Sequence, residues 1–181
     1  FSMVPDHHVL AEDLIRYKGQ NIAAVAAVSK EAALEAISKI KLDIEELPYV
    51  IDPVEACKPD APKVRPEGNL HLFDGVSEVR KIRKGDVEKG FAEADYIVEG
   101  TYTTPCQEHA PLETCASLAY LDEAGKLVIH SKSQGLYFSQ GDLANVFQLP
   151  LNKLKFVGGT IGGGFGGMNS IHTDHIAGLL A

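Results

Sequence analysis

Residues 162–167 read Gly-Gly-Gly-Phe-Gly-Gly, a run that restricts the folds open to this 181-residue chain. Each glycine in regular structure costs about 0.5–1 kcal/mol relative to alanine, so five in six positions belong in a loop. A short strand is expected just before it, at Leu154–Val157. A helix is expected after it, from Asn169 or Ser170, with Ile176, Leu179 and Leu180 on one stripe. Three readings of the loop stay open. Positions 162, 164 and 167 satisfy the dinucleotide-binding pattern G-x-G-x-x-G. The acidic residue that would support that reading falls beyond Ala181, and the strand before it is short and carries Lys153 and Lys155. The second reading is a loop with no ligand. The third is a loop whose N–H groups approach an anionic or planar group, with Phe165 as its projecting side chain. A Walker A phosphate loop is excluded, because Met168 stands where lysine is required.

The rest of the chain mixes helix and strand signals, as an α+β protein does. Asn21–Val28 is compatible with a strand, although its alanines suit a helix as well, and Ser29 is a suitable N-cap for a helix that places Ala33, Leu34, Ile37 and Ile40 on one face. Residues 41–47 and 96–103 also have strand character. Asp86 can cap a short helix with Val87, Phe91 and Ala94 at one-turn spacing. Residues 115–121 and 126–131 flank Asp122-Glu123-Ala124-Gly125, a hairpin signal. Ser139-x-x-Asp142 has the form of a helix start, with Pro150 beyond the helix end.

Five of the nine prolines lie between Pro48 and Pro66. Proline fixes φ and removes a donor, so this stretch is expected to be extended, at the surface, and a connection between domains. The expected division is residues 1–55, a linker over 56–68, and residues 69–181. Charge narrows the partners. Seventeen Lys and Arg against 25 Asp and Glu leave a net charge of -8, unlike a surface for nucleic acid or anionic lipid. No apolar run approaches the roughly 18–20 residues of a membrane span, and the first residues lack a signal-peptide layout. Cys57, Cys106 and Cys115 form neither a disulfide framework nor a metal motif, so a reducing, cytoplasmic setting is expected. The thiols of Cys106 and Cys115 are expected to be buried and structural.

Three blocks together carry a family resemblance: Arg16-Tyr17-Lys18-Gly19-Gln20-Asn21-Ile22-Ala23-Ala24-Val25, Gln107-Glu108-His109-Ala110-Pro111-Leu112-Glu113, and Gly162–Gly167 with Phe165. In order and spacing the chain resembles the molybdenum-binding large subunit of the xanthine dehydrogenase/aldehyde oxidase family. The resemblance implies part of an a/b-hammerhead unit followed by the first part of a molybdopterin-binding domain. It implies oxidative hydroxylation of an aldehyde or N-heterocycle carbon with water-derived oxygen. The implied partners are iron–sulfur and FAD-binding subunits or domains, the rest of the large subunit, a small-molecule substrate and a possible second copy. By position, Gln134 resembles the glutamine that reaches an oxygen ligand of molybdenum, and Gly163, Gly164, Phe165 and Gly166 resemble the loop beside the cofactor.

Phe165 and Asn169 are implied at the substrate. Asn169 stands where xanthine-oxidising members carry a glutamate, and Met168 where a lysine is common. An amide can hydrogen-bond a heterocycle but supplies no negative charge, which disfavours xanthine. The family's base glutamate is expected beyond Ala181, so neither Glu108 nor Glu113 is assigned that role, and the chain alone is expected to be inactive. Glu113 and His109 are expected to be structural residues of a buried sheet. His172 and His175, with Asp174 between them, have metal-ligand spacing without a third ligand, so a helix face is the better reading. His7 and His8 are expected at the surface. Apart from the family, two other classes remain: a self-contained nucleotide-binding dehydrogenase unit and a non-catalytic scaffold.

Overall fold

Leu127, Val128 and Ile129 are consecutive and all buried, a pattern available to a strand covered on both faces. The computed structural model describes residues 8–71 and 81–181, and in it these residues form the centre of a three-stranded sheet. Strand β1 (Leu118–Leu121) pairs antiparallel with β2 (Leu127–His130), placing Ala119 opposite Ile129. The expected hairpin is present, and Asp122 makes its turn: its Oδ1 accepts from the Ala124 and Lys126 N–H groups, while Gly125 takes φ 69°. Strand β3 (Leu154–Val157) lies parallel to β2 on its other side. Such a parallel return needs a crossover, supplied by a helix over Leu136–Val146.

That helix starts a turn earlier than the Ser139 pattern predicts. Ser139 is buried, and its hydroxyl pairs at 2.7 Å with that of Ser133 instead of capping a helix end. Leu143 from this helix meets Leu127, Ile129 and Leu154 in the core, with Phe147, Phe156 and Ile171 packed around them. A last helix, Asp174–Leu180, lies against β1 and β2.

By its contacts the chain divides into two compact units, one of residues 1–41 and 106–181 and one of residues 42–105. The first also holds the helix Lys30–Ser38, whose N-cap Ser29 accepts from the Ala32 N–H as expected, although none of its residues is buried. In the second, short helices span Pro53–Ala56 and Val87–Ala92, capped by Asp52 and Asp86. Pro53–Ala56 interrupts the expected extended run. The neighbouring proline-rich chain is held locally by Asn69, whose Nδ2 donates to the Ala56 and Pro62 carbonyls while Oδ1 accepts from Val64 N–H. None of the described residues of this second unit is buried, and Tyr96, Val98 and Tyr102 are almost fully exposed.

The strands expected at 21–28, 41–47 and 96–103, all described residues, are absent. A strand exists only with a hydrogen-bonded neighbour, and over 21–28 the one such backbone bond among the described residues joins Ala11 N–H to the Asn21 carbonyl. The difference in burial predicts unequal sensitivity. Leu143→Ala should cost about 3 kcal/mol in denaturant unfolding, as for a fully buried leucine. Val98→Ala should stay within about 0.5 kcal/mol. Equal losses from the two would contradict the placement of the core.

Candidate functional site

After β2 the chain passes through Ser133, buried and bonded to both Ser139 and the Gly135 N–H, before the 136–146 helix begins. Gln134 is therefore set between two fixed points. Its backbone N–H donates to the Met168 carbonyl at 2.9 Å. Its side-chain Oε1 accepts from the N–H groups of Gly166 at 3.0 Å and Met168 at 3.2 Å. Since Oε1 takes these donors, the amide's other end, Nε2, carries the hydrogens. Nε2 has no partner among the described residues.

The glycine loop approaches a second segment just as closely. In residues 109–113 every second residue faces one glycine, with Ala110 between the first two at φ 43°. A Cβ on Gly167 would lie 3.0 Å from His109 Cγ, one on Gly163 would lie 3.1 Å from Pro111 Cβ, and one on Gly162 would lie 2.7 Å from Glu113 Cβ. Glu113 also clamps Gly162, accepting its N–H through Oε2 at 2.6 Å and donating its own N–H to the Gly162 carbonyl at 3.2 Å. Lys132 Nζ donates to the Glu113 carbonyl. A Cβ on Gly164 would lie 2.5 Å from the Gln134 amide. These contacts account for four of the five glycines without any ligand. They also correct the expectation for His109 and Glu113, which are exposed, lie outside any strand and serve the loop.

Gly164–Gly167 closes as a tight turn, with Gly167 N–H donating to the Gly164 carbonyl at 2.7 Å. Its central residues Phe165 (φ 50°) and Gly166 (φ 91°) both lie at positive φ, the signature of a type I′ turn. Glycine suits this conformation and phenylalanine does not. Among the described residues, the N–H groups of Gly163, Gly164 and Phe165 have no partner, and the Phe165 side chain is 73% exposed. The site is thus a set of backbone donors, one amide donor and one aromatic ring, held by Gln134 and residues 109–113.

Asn169 is exposed and ends the 3-10 turn Gly167–Asn169, next to the loop. Met168 is buried, which suits an apolar residue at a position where lysine was the comparison. His172, weighed above with His175 as a metal pair, places Nε2 at 2.7 Å from the Gly167 carbonyl. The carbonyl can only accept, so Nε2 carries the hydrogen and donates it. His175 is buried, with Nε2 3.5 Å from Asn21 Nδ2. Among the described residues no three His, Cys, Asp or Glu side chains are grouped to hold a metal ion. Cys106 and Cys115 are exposed, which corrects their expected burial: the segment bearing them belongs to no sheet until Leu118. His8 is exposed, and His7 lies outside the described residues. The dinucleotide reading requires a helix opening at the loop, whereas the helix here starts at Asp174. No helix among the described residues is long and apolar enough to cross a membrane.

Comparison with known proteins identifies the family. Residues 70–181 match the molybdopterin cofactor-binding domain, and residues 2–48 match the a/b hammerhead domain of aldehyde oxidase and xanthine dehydrogenase. The chain is 35% identical over 179 residues to a probable xanthine dehydrogenase subunit from Bacillus subtilis (strain 168), covering 99% of this chain and 23% of that protein. It is 32% identical over 165 residues to the nicotinate dehydrogenase large molybdopterin subunit of Eubacterium barkeri, covering 91% of this chain and 37% of that one. The solved aldehyde oxidoreductase from Desulfovibrio gigas superimposes with a TM-score of 0.74 at 30% identity, over 86% of this chain and 17% of that chain. This chain therefore spans well under half the length of these relatives.

The turn geometry yields a prediction. Phe165 sits in the left-handed region and buries little, so Phe165→Gly should raise stability by about 1 kcal/mol in thermal unfolding. A lower melting temperature for that variant would show that the ring, not the backbone, governs the loop.

Proposed function

This chain belongs to the xanthine dehydrogenase/aldehyde oxidase family of molybdopterin-binding proteins, and from that premise we propose that it is part of a large subunit that oxidatively hydroxylates carbon. The proposed substrate class is an aldehyde or an N-heterocycle, with water-derived oxygen. The supporting observation is the donor set: the N–H groups of Gly163 and Phe165, and the Gln134 amide whose oxygen is taken up by the loop.

An anionic, oxygen-rich molybdopterin group fits such donors, since N–H groups bind oxygen anions without bringing a competing negative charge. When bound, that cofactor supplies the two-electron oxidation, and the protein supplies binding and orientation. In this reading Gln134 Nε2 donates to an oxygen of the cofactor, and the loop from Gly163 to Gly166 packs beside it. Phe165 offers a flat apolar face to a planar substrate. Asn169 contributes an uncharged amide where a heterocycle would bind, which argues for a substrate other than xanthine. Residues 1–55 act as the hammerhead part, 56–68 as linker and 69–181 as part of the cofactor domain. The ranges of the two domain matches, 2–48 and 70–181, support that division.

The proposed partners are iron–sulfur and FAD-binding subunits or domains and the remainder of a large subunit. Exposed apolar side chains such as Tyr96, Val98 and Tyr102 are suited to such contacts, or to a second copy. The chain by itself is proposed to be inactive.

The test is the intact enzyme purified from a host that makes the cofactor, assayed with aldehydes and N-heterocycles and an electron-accepting dye. It should contain molybdenum and pterin, and Gln134→Leu should lower kcat by about 10²–10³, as for loss of one preorganised donor. Absence of molybdenum and pterin would overturn the function, and an unaffected kcat would overturn the role of Gln134. The 181-residue chain assayed alone should show no turnover, and dye reduction by it would contradict its proposed inactivity.

A further inference from the structure

The 170–175 segment carries more polar structure than a helix start needs. Asp174 is 3% exposed. Its Oδ2 accepts from the His172 backbone N–H at 2.9 Å, and its Oδ1 accepts from the Ser117 hydroxyl at 3.1 Å. Ser117 lies one residue before β1 and also meets the hydroxyls of Thr173 at 2.6 Å and Ser131 at 3.0 Å. Ser131 follows β2, so this buried polar cluster fixes Asp174 to the ends of two adjacent strands. A buried carboxylate is tolerated only when hydrogen-bonded in this way. Its second oxygen is spent on His172, whose exposed imidazole turns back to the Gly167 carbonyl at 2.7 Å. A continuous set of hydrogen bonds therefore runs from the sheet through Ser117, Asp174 and His172 to the last glycine of the loop.

We infer that His172 is a positioning residue, which carries the rigidity of the sheet to the C-terminal end of the glycine loop and so holds the turn that presents Phe165 and the Gln134 amide. The loop is otherwise tied at Gly162 by Glu113 and at Gly166 and Met168 by Gln134. Among the described residues, the hydrogen bonds of Gly167 are its own turn bond to Gly164 and the one from His172. Loss of the imidazole leaves two adjacent residues at positive φ without that tether, a geometry that persists only where its surroundings enforce it. The inference rests on the proposed function for its purpose, and on the hydrogen bonds alone for its mechanism.

The experiment separates the two. Backbone ¹⁵N relaxation of the full chain, without cofactor, should give order parameters for Gly166 and Gly167 near the rigid value of about 0.85, falling below about 0.6 in His172→Ala. His172→Gln, which keeps a side-chain N–H donor, should restore most of the order. His172 is exposed, so both variants should fold, and an unchanged melting temperature checks this. Unaltered order parameters in His172→Ala, or a glutamine variant as mobile as the alanine one, would overturn the inference. Molybdenum and pterin content of the intact enzyme is measured in parallel. Its absence, with the order parameters responding as expected, would overturn the proposed function and leave the positioning role standing.

Discussion

One amide oxygen organises the site. Gln134 Oε1 accepts from the N–H groups of Gly166 and Met168 while its own backbone N–H bonds to the Met168 carbonyl. Each such bond contributes about 1 kcal/mol net, so the set can hold a strained turn that costs a similar amount. The same bonds fix the polarity of the site. An amide that gives its oxygen to the protein presents hydrogens, so the exposed end of Gln134 is a donor. With the unbonded N–H groups of Gly163 and Phe165, the surface is suited to an oxygen anion.

That arrangement depends on the fold through short paths. The fully buried Ile129 and Leu143 fix β2 and the following helix, and the segment between them carries Gln134. The buried Ser133–Ser139 pair locks the same segment from behind. Residues 109–113 pass close enough on the other side that side chains on the loop would collide with them. The glycines serve first to let three pieces of chain meet. Flexibility is the opposite of their effect here, because each close approach comes with hydrogen bonds or packing that restrain the loop.

Much of this was legible in the sequence where the cause is local. The hairpin at Asp122–Gly125, the N-caps at Ser29 and Asp86, and the strand at Leu154–Val157 follow from turn chemistry, capping oxygens and periodicity over a few residues. Motif and resemblance point to the loop and to Gln134, and the two are neighbours in space. What local signals missed depends on partners distant in sequence. Residues 21–28 and 96–103 have strand composition but no ladder to join among the described residues. Ser139 reads as a cap and instead bonds a buried hydroxyl six positions away. Glu113 and His109 read as sheet residues because nothing in their own neighbourhood reveals a glycine some fifty positions onward. The alternation of His109, Pro111 and Glu113 was the available signal, and it gains meaning only beside the loop.

The loop is rigidly held while the N–H groups of Gly163 and Phe165 stay open. Residue-by-residue amide hydrogen exchange in the chain without cofactor tests it. Slow exchange is expected at Gly162, Gly166, Gly167 and Met168, whose N–H groups are bonded, and fast exchange at Gly163 and Phe165. Uniformly fast exchange across residues 162–168 would contradict it, because the donors would then belong to a loose loop.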